Sequence, residues 1–335
     1  MLGLMGLLGA VLAGFMMDAV TSPDRDDTQD GADVPDEVEM GTGSLLDDPG
    51  AANDPEAGMA RSDDLEGGPD AAVTLQGGAA DDILTGDGND DLIAGAEGDD
   101  LLGGRDGDDH IDGGAGQDWL RGGAGADRLA GAAGDDDLHG EHGDDRLAGG
   151  EGNDGLSGDL GRDLLEAGRG DDSLSGGDLA DTLRGGTGDD ALQGGAGDDR
   201  ASGGSGGDVV DGNAGHDTLW GARAGAADGQ VDFLNGGEGD DVLHVGVGDY
   251  ASGGEGADQF LLADINPGDP VAQITDFDRG EDALMLVYDA ALHADPVVTI
   301  EVAAGDATVL LDGVPVAQVL GGAGMSVGDV VLRAA

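Results

Sequence analysis

GGAGQDWLRGGAGADRLA, residues Gly113 to Ala130, is two nine-residue units laid end to end. Each has glycine at positions one, two and four, aspartate at position six (Asp118, Asp127) and leucine at position eight (Leu120, Leu129). Extended in both directions, the same frame gives sixteen units without a gap from Gly77 to Trp220. The sixth residue is aspartate every time: Asp82, Asp91, Asp100, Asp109, Asp118, Asp127, Asp136, Asp145, Asp154, Asp163, Asp172, Asp181, Asp190, Asp199, Asp208 and Asp217. The eighth is aliphatic throughout, with Ala201 the smallest, and the first is glycine in all but one unit, where Ala167 stands. Position four departs from glycine only at Ala80, Asn89 and Leu179. An inward apolar residue and a carboxylate that recur at this fixed interval specify stacked coils with columns of acid along them.

Composition says what must hold such coils together. The chain has 335 residues, 71 glycines, a formal charge of -60, no cysteine and only 2% aromatic residues. Its 13 basic residues are all arginine. That charge repels nucleic-acid phosphates and anionic lipid headgroups. Without lysine there is no Walker-type phosphate loop, and without cysteine there are no disulfides or thiolate metal sites. High charge with few aromatics is the composition of a disordered chain unless something other than apolar burial orders it. A hard cation held by oxygen ligands meets that need, and Ca2+ is the ion that tolerates such a flexible all-oxygen cage.

The unit G-G-x-G-x-D-x-U-x, as in GGAGQDWLR (Gly113–Arg121) and GGTGDDALQ (Gly185–Gln193), resembles the RTX, or haemolysin-type, calcium-binding repeat. ITDFDRGEDAL (Ile274–Leu284) is similar to the segment that follows such repeats in secreted members of the family. The resemblance implies an all-β fold, a right-handed parallel β-roll in which six residues turn, three form a short strand, and two units complete one coil. It also implies calcium between the turns of adjacent coils, held by the sixth-position aspartates and nearby carbonyls. Sixteen units then make eight coils, roughly 38 Å at about 4.8 Å per layer. About fourteen inter-coil sites is the ceiling for this block, and filling them would leave a net charge of about -32. Along the side beginning at Gly77, position two is always glycine or alanine. On the other side it includes Asp87, Arg105, Glu141, Asp159 and Asn213, so better-formed sites are expected on the first side.

Beyond Trp220 the array loosens. Gly221–Asn235 reads as a unit lengthened by six residues and carrying Asp232; Gly236–His244 is regular with Asp241; Gly253–Leu261 closes the array with Asp258. Val245–Ser252 is one residue short, and the frame puts Tyr250 where aspartate belongs. Residues 75–261 are thus expected to form the roll, and 262–335 a small antiparallel β cap over its open end, with Asp312-Gly313 as a hairpin turn. The apolar stretch 1–17 reads as an export or anchoring segment with a chance of membrane contact, and the acidic stretch 18–74 as a flexible linker.

Catalytic signals are weak. No HExxH motif occurs, His139-Gly-Glu-His142 sits in a turn without a third ligand, and GGSGG (Gly203–Gly207) is repeat rather than nucleophile elbow. The expectation is a non-enzymatic, calcium-binding protein, secreted or displayed on the surface of a Gram-negative bacterium by a type I secretion apparatus, in a structural or adhesive role. The alternative is a secreted enzyme or toxin whose repeats serve export and folding.

Overall fold

The computed structural model describes residues 71–222, 229–263, 268–293 and 295–335. The apolar stretch 1–17 and all but the last residues of the acidic linker lie outside the described residues. From Thr74 to Leu262 the chain alternates, strand by strand and with parallel pairing, between two sheets that reach thirteen and fourteen strands once the later strands are added. In the regular block each strand pairs with the one eighteen residues further on, so that Trp119 lies beside Asp137 and Leu120 beside Leu138; from Val209 on the offsets become 24 and then 17. The expected all-β parallel roll is therefore present.

Position eight makes the core. Ile93, Ile111, Leu129, Leu147, Leu165 and Leu183 stack on one sheet, and Leu102, Leu120, Leu138, Leu156, Leu174 and Leu192 on the other, all buried. One aliphatic side chain per unit gives only a thin apolar seam. The turns on either side must therefore contribute more than turns ordinarily do.

The strands are longer than three residues. Trp119–Ala124 and His110–Ala115 run from position seven of one unit to position three of the next, and only positions four to six lie outside the ladder. The bend falls at position two, which takes positive φ, as at Gly114 (110°) and Gly123 (125°). Glycine adopts that conformation without a steric penalty. Its absence of Cβ also matters, because a side chain on Gly123 would run into the Arg105 carbonyl one coil below.

The lengthened unit is absorbed in a single turn: strands Thr218–Ala222 and Phe233–Glu238 keep their places in the two sheets. After Leu262 the chain does not change at once to antiparallel pairing. Ala272–Ile274 and Ala283–Tyr288 still add in parallel to the two sheets, and Val330–Ala334 adds in parallel to the latter. The antiparallel cap is the three strands Val298–Ala303, Asp306–Leu311 and Val314–Val319, which extend the fourteen-stranded sheet. Asp312 and Gly313 both have positive φ (52° and 83°), the conformation of a two-residue hairpin turn. Ala304-Gly305 makes a second turn of the same kind (57° and 104°), without the Asn or Asp that would advertise it.

Candidate metal centre

The turns place the sixth-position aspartates in two columns, one beginning at Asp82 and the other at Asp91. Within a column each Oδ1 accepts the backbone N–H of the aspartate one coil earlier. Asp100 accepts from Asp82 (2.7 Å), Asp118 from Asp100 (2.8 Å) and Asp136 from Asp118 (2.9 Å). In the other column Asp109 accepts from Asp91 (2.7 Å), Asp127 from Asp109 (2.7 Å) and Asp145 from Asp127 (2.7 Å). The columns continue unbroken past the irregular units, through Asp232 and Asp241. All nineteen sixth-position aspartates read from the sequence are buried.

The second oxygen is the informative one. At the start of each column it is satisfied locally: Asp82 Oδ2 accepts from the N–H of Gly78, and Asp91 Oδ2 from that of Asp87, both at 2.7 Å. In every sixth-position aspartate from Asp100 to Asp199, and again in Asp217, Asp241 and Asp258, Oδ2 is buried with no hydrogen-bond donor. A buried carboxylate oxygen without a donor costs several kcal/mol as an order of magnitude, and repetition along a column compounds it. Beside the Cα of Gly95, Asp100 Oδ2 and the Gly113 carbonyl oxygen converge on the space that a Cβ would fill. Gly194, with Asp199 Oδ2 and the Gly212 carbonyl, repeats the arrangement in the other column.

That cradle fits a hard divalent cation. Its donors are carboxylate and carbonyl oxygens, the set that suits calcium and not zinc or copper. Among the described residues no three His, Asp or Glu side chains meet at one point, so any cage here is mostly backbone carbonyl. His139 is bonded instead to Asp137, Nε2 to Oδ1 at 3.1 Å, which leaves the His139–His142 pair without metal-site geometry.

Electrostatics agrees with the cradle's demand for positive charge. Burial pushes Asp127, Asp181, Asp190 and Asp241 up to about 7, and Asp109, Asp136, Asp145, Asp154, Asp163 and Asp217 up to about 6. The backbone N–H on Oδ1 offsets part of the effect, and neighbouring carboxylates in the column add to it.

Two acids escaped the sequence reading. In the short unit it is Asp249, and not the position of Tyr250, that occupies the sixth place. Its Oδ1 accepts from Asp232 N–H (3.1 Å), and the missing residue lies between Gly246 and Asp249. The supposed loss of an acid there is corrected: Tyr250 is position seven, paired with Phe233. Beyond Asp258, Asp282 takes the next rung, accepting from Asp258 N–H (3.0 Å) on Oδ1 and from Asp278 N–H (2.7 Å) on Oδ2. The spacing of 24 residues hid it, although Leu284 two places on is the buried aliphatic that marks the frame.

A second ladder, also unforeseen, runs along the exposed edge at position five. Asp81 Oδ1 accepts from Asp99 N–H (3.0 Å), Asp99 from Gln117 and Asp108 from Ala126. Here the side chain reaches to the following coil, whereas position six reaches to the preceding one. Asp or Asn at position five in ten of sixteen units was the available signal.

The RTX calcium-binding nonapeptide repeat model matches residues 74–102, 103–138, 121–156, 157–192, 175–210, 193–223 and 227–250, which together cover more than half of the chain. The chain belongs to this calcium-binding repeat family. A search of curated proteins finds no match. Among solved structures this chain is similar to the extracellular lipase LipA of Serratia marcescens, at 15% identity and a TM-score of 0.22, over 82% of this chain and 42% of that one. The chain thus spans less than half the length of that lipase.

Proposed function

We propose that this RTX protein is an exported, non-enzymatic chain whose roll orders on binding calcium, and that the sixth-position aspartates are its ligands. These are the nineteen from Asp82 to Asp258 together with Asp249 and Asp282. The observation that carries the reading is the run of buried, donorless Oδ2 atoms in both columns. Each is a cost without a cation and a ligand with one, so metal binding and folding become a single equilibrium. A thin aliphatic seam does not by itself offset so many desolvated carboxylates.

Export follows from the same physics. Inside a cell, where calcium is scarce, a chain of charge -60 stays expanded and can be threaded through a type I channel. Outside, where calcium is millimolar, weak extracellular-type sites fill and the roll forms. The folded product is a stiff, calcium-dependent module suited to a structural or adhesive role.

The test is circular dichroism of the full chain against calcium, with magnesium at equal concentration as control. The expected result is a cooperative gain of β signal with calcium alone. Equal β content after exhaustive chelation would overturn the reading, and turnover of ester, peptide or glycoside substrates abolished by a point mutation would overturn its non-enzymatic part.

A further inference from the structure

The two outer faces of the roll differ in charge. Positions seven and nine flank the inward position eight and point outward. On the thirteen-stranded sheet, from His110 to His244, those positions carry Arg128, Arg146, Arg184 and Arg200 against two carboxylates, Asp112 and Glu166. On the fourteen-stranded sheet, from Trp119 to Ser252, they carry one arginine, Arg121, and two aspartates, Asp137 and Asp211. A chain with 13 arginines and 73 acids has thus set four of its cations on one strip.

Only one arginine of the strip is used for internal ion pairing. Arg184 meets Glu166, but among the described residues Arg128, Arg146 and Arg200 have no carboxylate within ion-pair distance. Arg128 and Arg146 are register partners on adjacent strands, a like-charge juxtaposition that weakens a sheet. Stability alone gives no reason to keep that pair together.

Beside Arg184 and its partner Glu166 lies a groove of about 750 Å³, lined also by Thr182, Thr187, Arg200, Ser202 and Trp220. It exists because the bulky Trp220 has the small Ser202 as its register partner. On its other side the indole stacks on His244, with ring centroids 4.7 Å apart and planes 18° from parallel. One ring face is therefore braced, and the indole forms a wall of the groove. Trp119, the second tryptophan, lies on the opposite sheet.

We propose that this face binds an acidic polysaccharide, a chain of uronic acid residues lying along the roll axis. Arg128, Arg146 and Arg200 take its carboxylates, and Trp220 stacks on a sugar ring. Guanidinium forks match carboxylates in bidentate fashion. The indole face suits the C–H face of a pyranose, and the hydroxyls of Thr182, Thr187 and Ser202 suit its hydroxyls. Coils repeat at about 4.8 Å, so Arg128 and Arg146 lie one coil apart and Arg200 three coils further along the same line, a span that favours an acidic polymer over a single small anion. A stiff glycan also loses less conformational entropy on a flat sheet than a flexible acidic peptide does. The proposal rests on the calcium reading, because the strip exists only when coils stack, and the ions reduce repulsion from the flanking turns.

The experiment is titration of the full chain with hexagalacturonate, followed by tryptophan fluorescence and calorimetry, with calcium kept in excess of the oligomer's own carboxylates. Saturable binding is expected, at least 10-fold weaker in R146Q/R200Q, lost from the fluorescence signal in W220F, and unchanged in R121Q on the opposite sheet. Neutral cellohexaose should not bind. Circular dichroism of the same samples separates the two readings. A calcium-ordered roll that ignores hexagalacturonate, binds a hexaglutamate peptide as tightly, or is indifferent to R146Q/R200Q overturns this proposal. A chain ordered without calcium sinks the calcium reading, and the same titration on that ordered chain still decides this one.

Discussion

In the column of turns that begins at Asp82, position two is glycine or alanine in every regular unit; in the column that begins at Asp91 it is often a large or charged residue. The backbone registers the difference. The second column holds Arg105 (φ 92°), Glu141 (75°), Asp159 (69°) and Asn213 (69°) in the left-handed region, with Leu179 (76°) at position four. The first holds only Ala96 (91°) and Ala132 (79°). Yet the ladder bonds do not register it. From Asp136 to Asp154 in the first column the ladder bond is 3.0 Å, whereas from Asp127 to Asp145 and from Asp181 to Asp199 in the second it is 2.7 Å. The sequence pattern favoured the first column, but the ladder gives it no advantage. Position two sets backbone strain, and positions one and six set the cradle.

That separation can be broken most forcefully at position six. Asp127→Ala should remove a ligand and also orphan the buried N–H of Asp109, which donates to Asp127 Oδ1 at 2.7 Å. A buried donor left unsatisfied costs about 1–3 kcal/mol before any ion is lost. Asp136→Ala, its counterpart in the first column, leaves the N–H of Asp118 in the same state. Both variants should raise the calcium midpoint of the roll and lower bound calcium by at least one ion, measured by dichroism and by metal analysis. If the first-column variant proves far more damaging than its partner, the columns are not equivalent and position two does govern the sites.

A broader effect is expected from pH, and it has opposite signs with and without metal. The folded carboxylates of Asp127 and Asp181 stand at about 7, and those of Asp109 and Asp145 at about 6, all above the 3.8 of an exposed aspartate. Between those values the folded chain binds more protons than the unfolded one, so folding stability falls as pH rises. In chelator, order should therefore be greatest near pH 4 and be lost as pH rises through 6 to 7. With calcium, protons compete with ions, and the calcium midpoint should climb as pH drops below 7. Dichroism at fixed pH in both conditions measures this, and a chelated chain more ordered at pH 8 than at pH 5 contradicts the burial of these groups.

Most of the roll was legible because nine-residue periodicity survives translation into space: position eight is the seam and position six the column without exception from Asp82 to Asp217. What was missed fell where spacing changed. Asp249 was lost because the deletion lies inside its own turn, and the frame was carried past it to Tyr250. Asp282 was lost because 24 residues separate it from Asp258, although ITDFDRGEDAL had already been singled out. The parallel strands Ala272–Ile274 and Ala283–Tyr288 were read into the cap because their sequences lack glycine, which marks bends rather than pairing direction. The fifth-position ladder was overlooked because it tolerates Gln, Ala, Arg and Gly in place of Asp.

A smaller effect should come from Ala167, the one position-one residue with a side chain among the sixteen regular units, and it lies in the column that was expected to be the better. At Gly149 and Gly185, its neighbours one coil away on either side, an added Cβ would press on the Oδ2 of Asp154 and of Asp190, closer than real Cβ contacts come. Ala167 carries that methyl beside Asp172. Ala167→Gly should tighten calcium binding at that coil, or add an ion, and Gly185→Ala should do the reverse to Asp190. Calorimetric titration of the two variants should move in opposite directions. Both moving the same way would show that position one is a matter of chain flexibility and not of the cradle.

The finest test is Arg105→Gly in the second column. A left-handed non-glycine residue costs about 1–2 kcal/mol, and glycine gives back about 0.5–1 kcal/mol through the greater freedom of the unfolded chain. Arg105 has no ion pair among the described residues to lose, unlike Glu141, which meets Arg121 at 3.0 Å. The net expectation is a gain of up to about 1 kcal/mol in the calcium-loaded state, read from chemical denaturation, with the number of bound ions unchanged. Ala132→Gly in the first column should gain a similar amount, because the strain comes from the Cβ that alanine also carries. If Arg105→Gly instead changed calcium stoichiometry, position two would belong to the cradle, and the division of labour between strain and ligation drawn from the two columns would not hold.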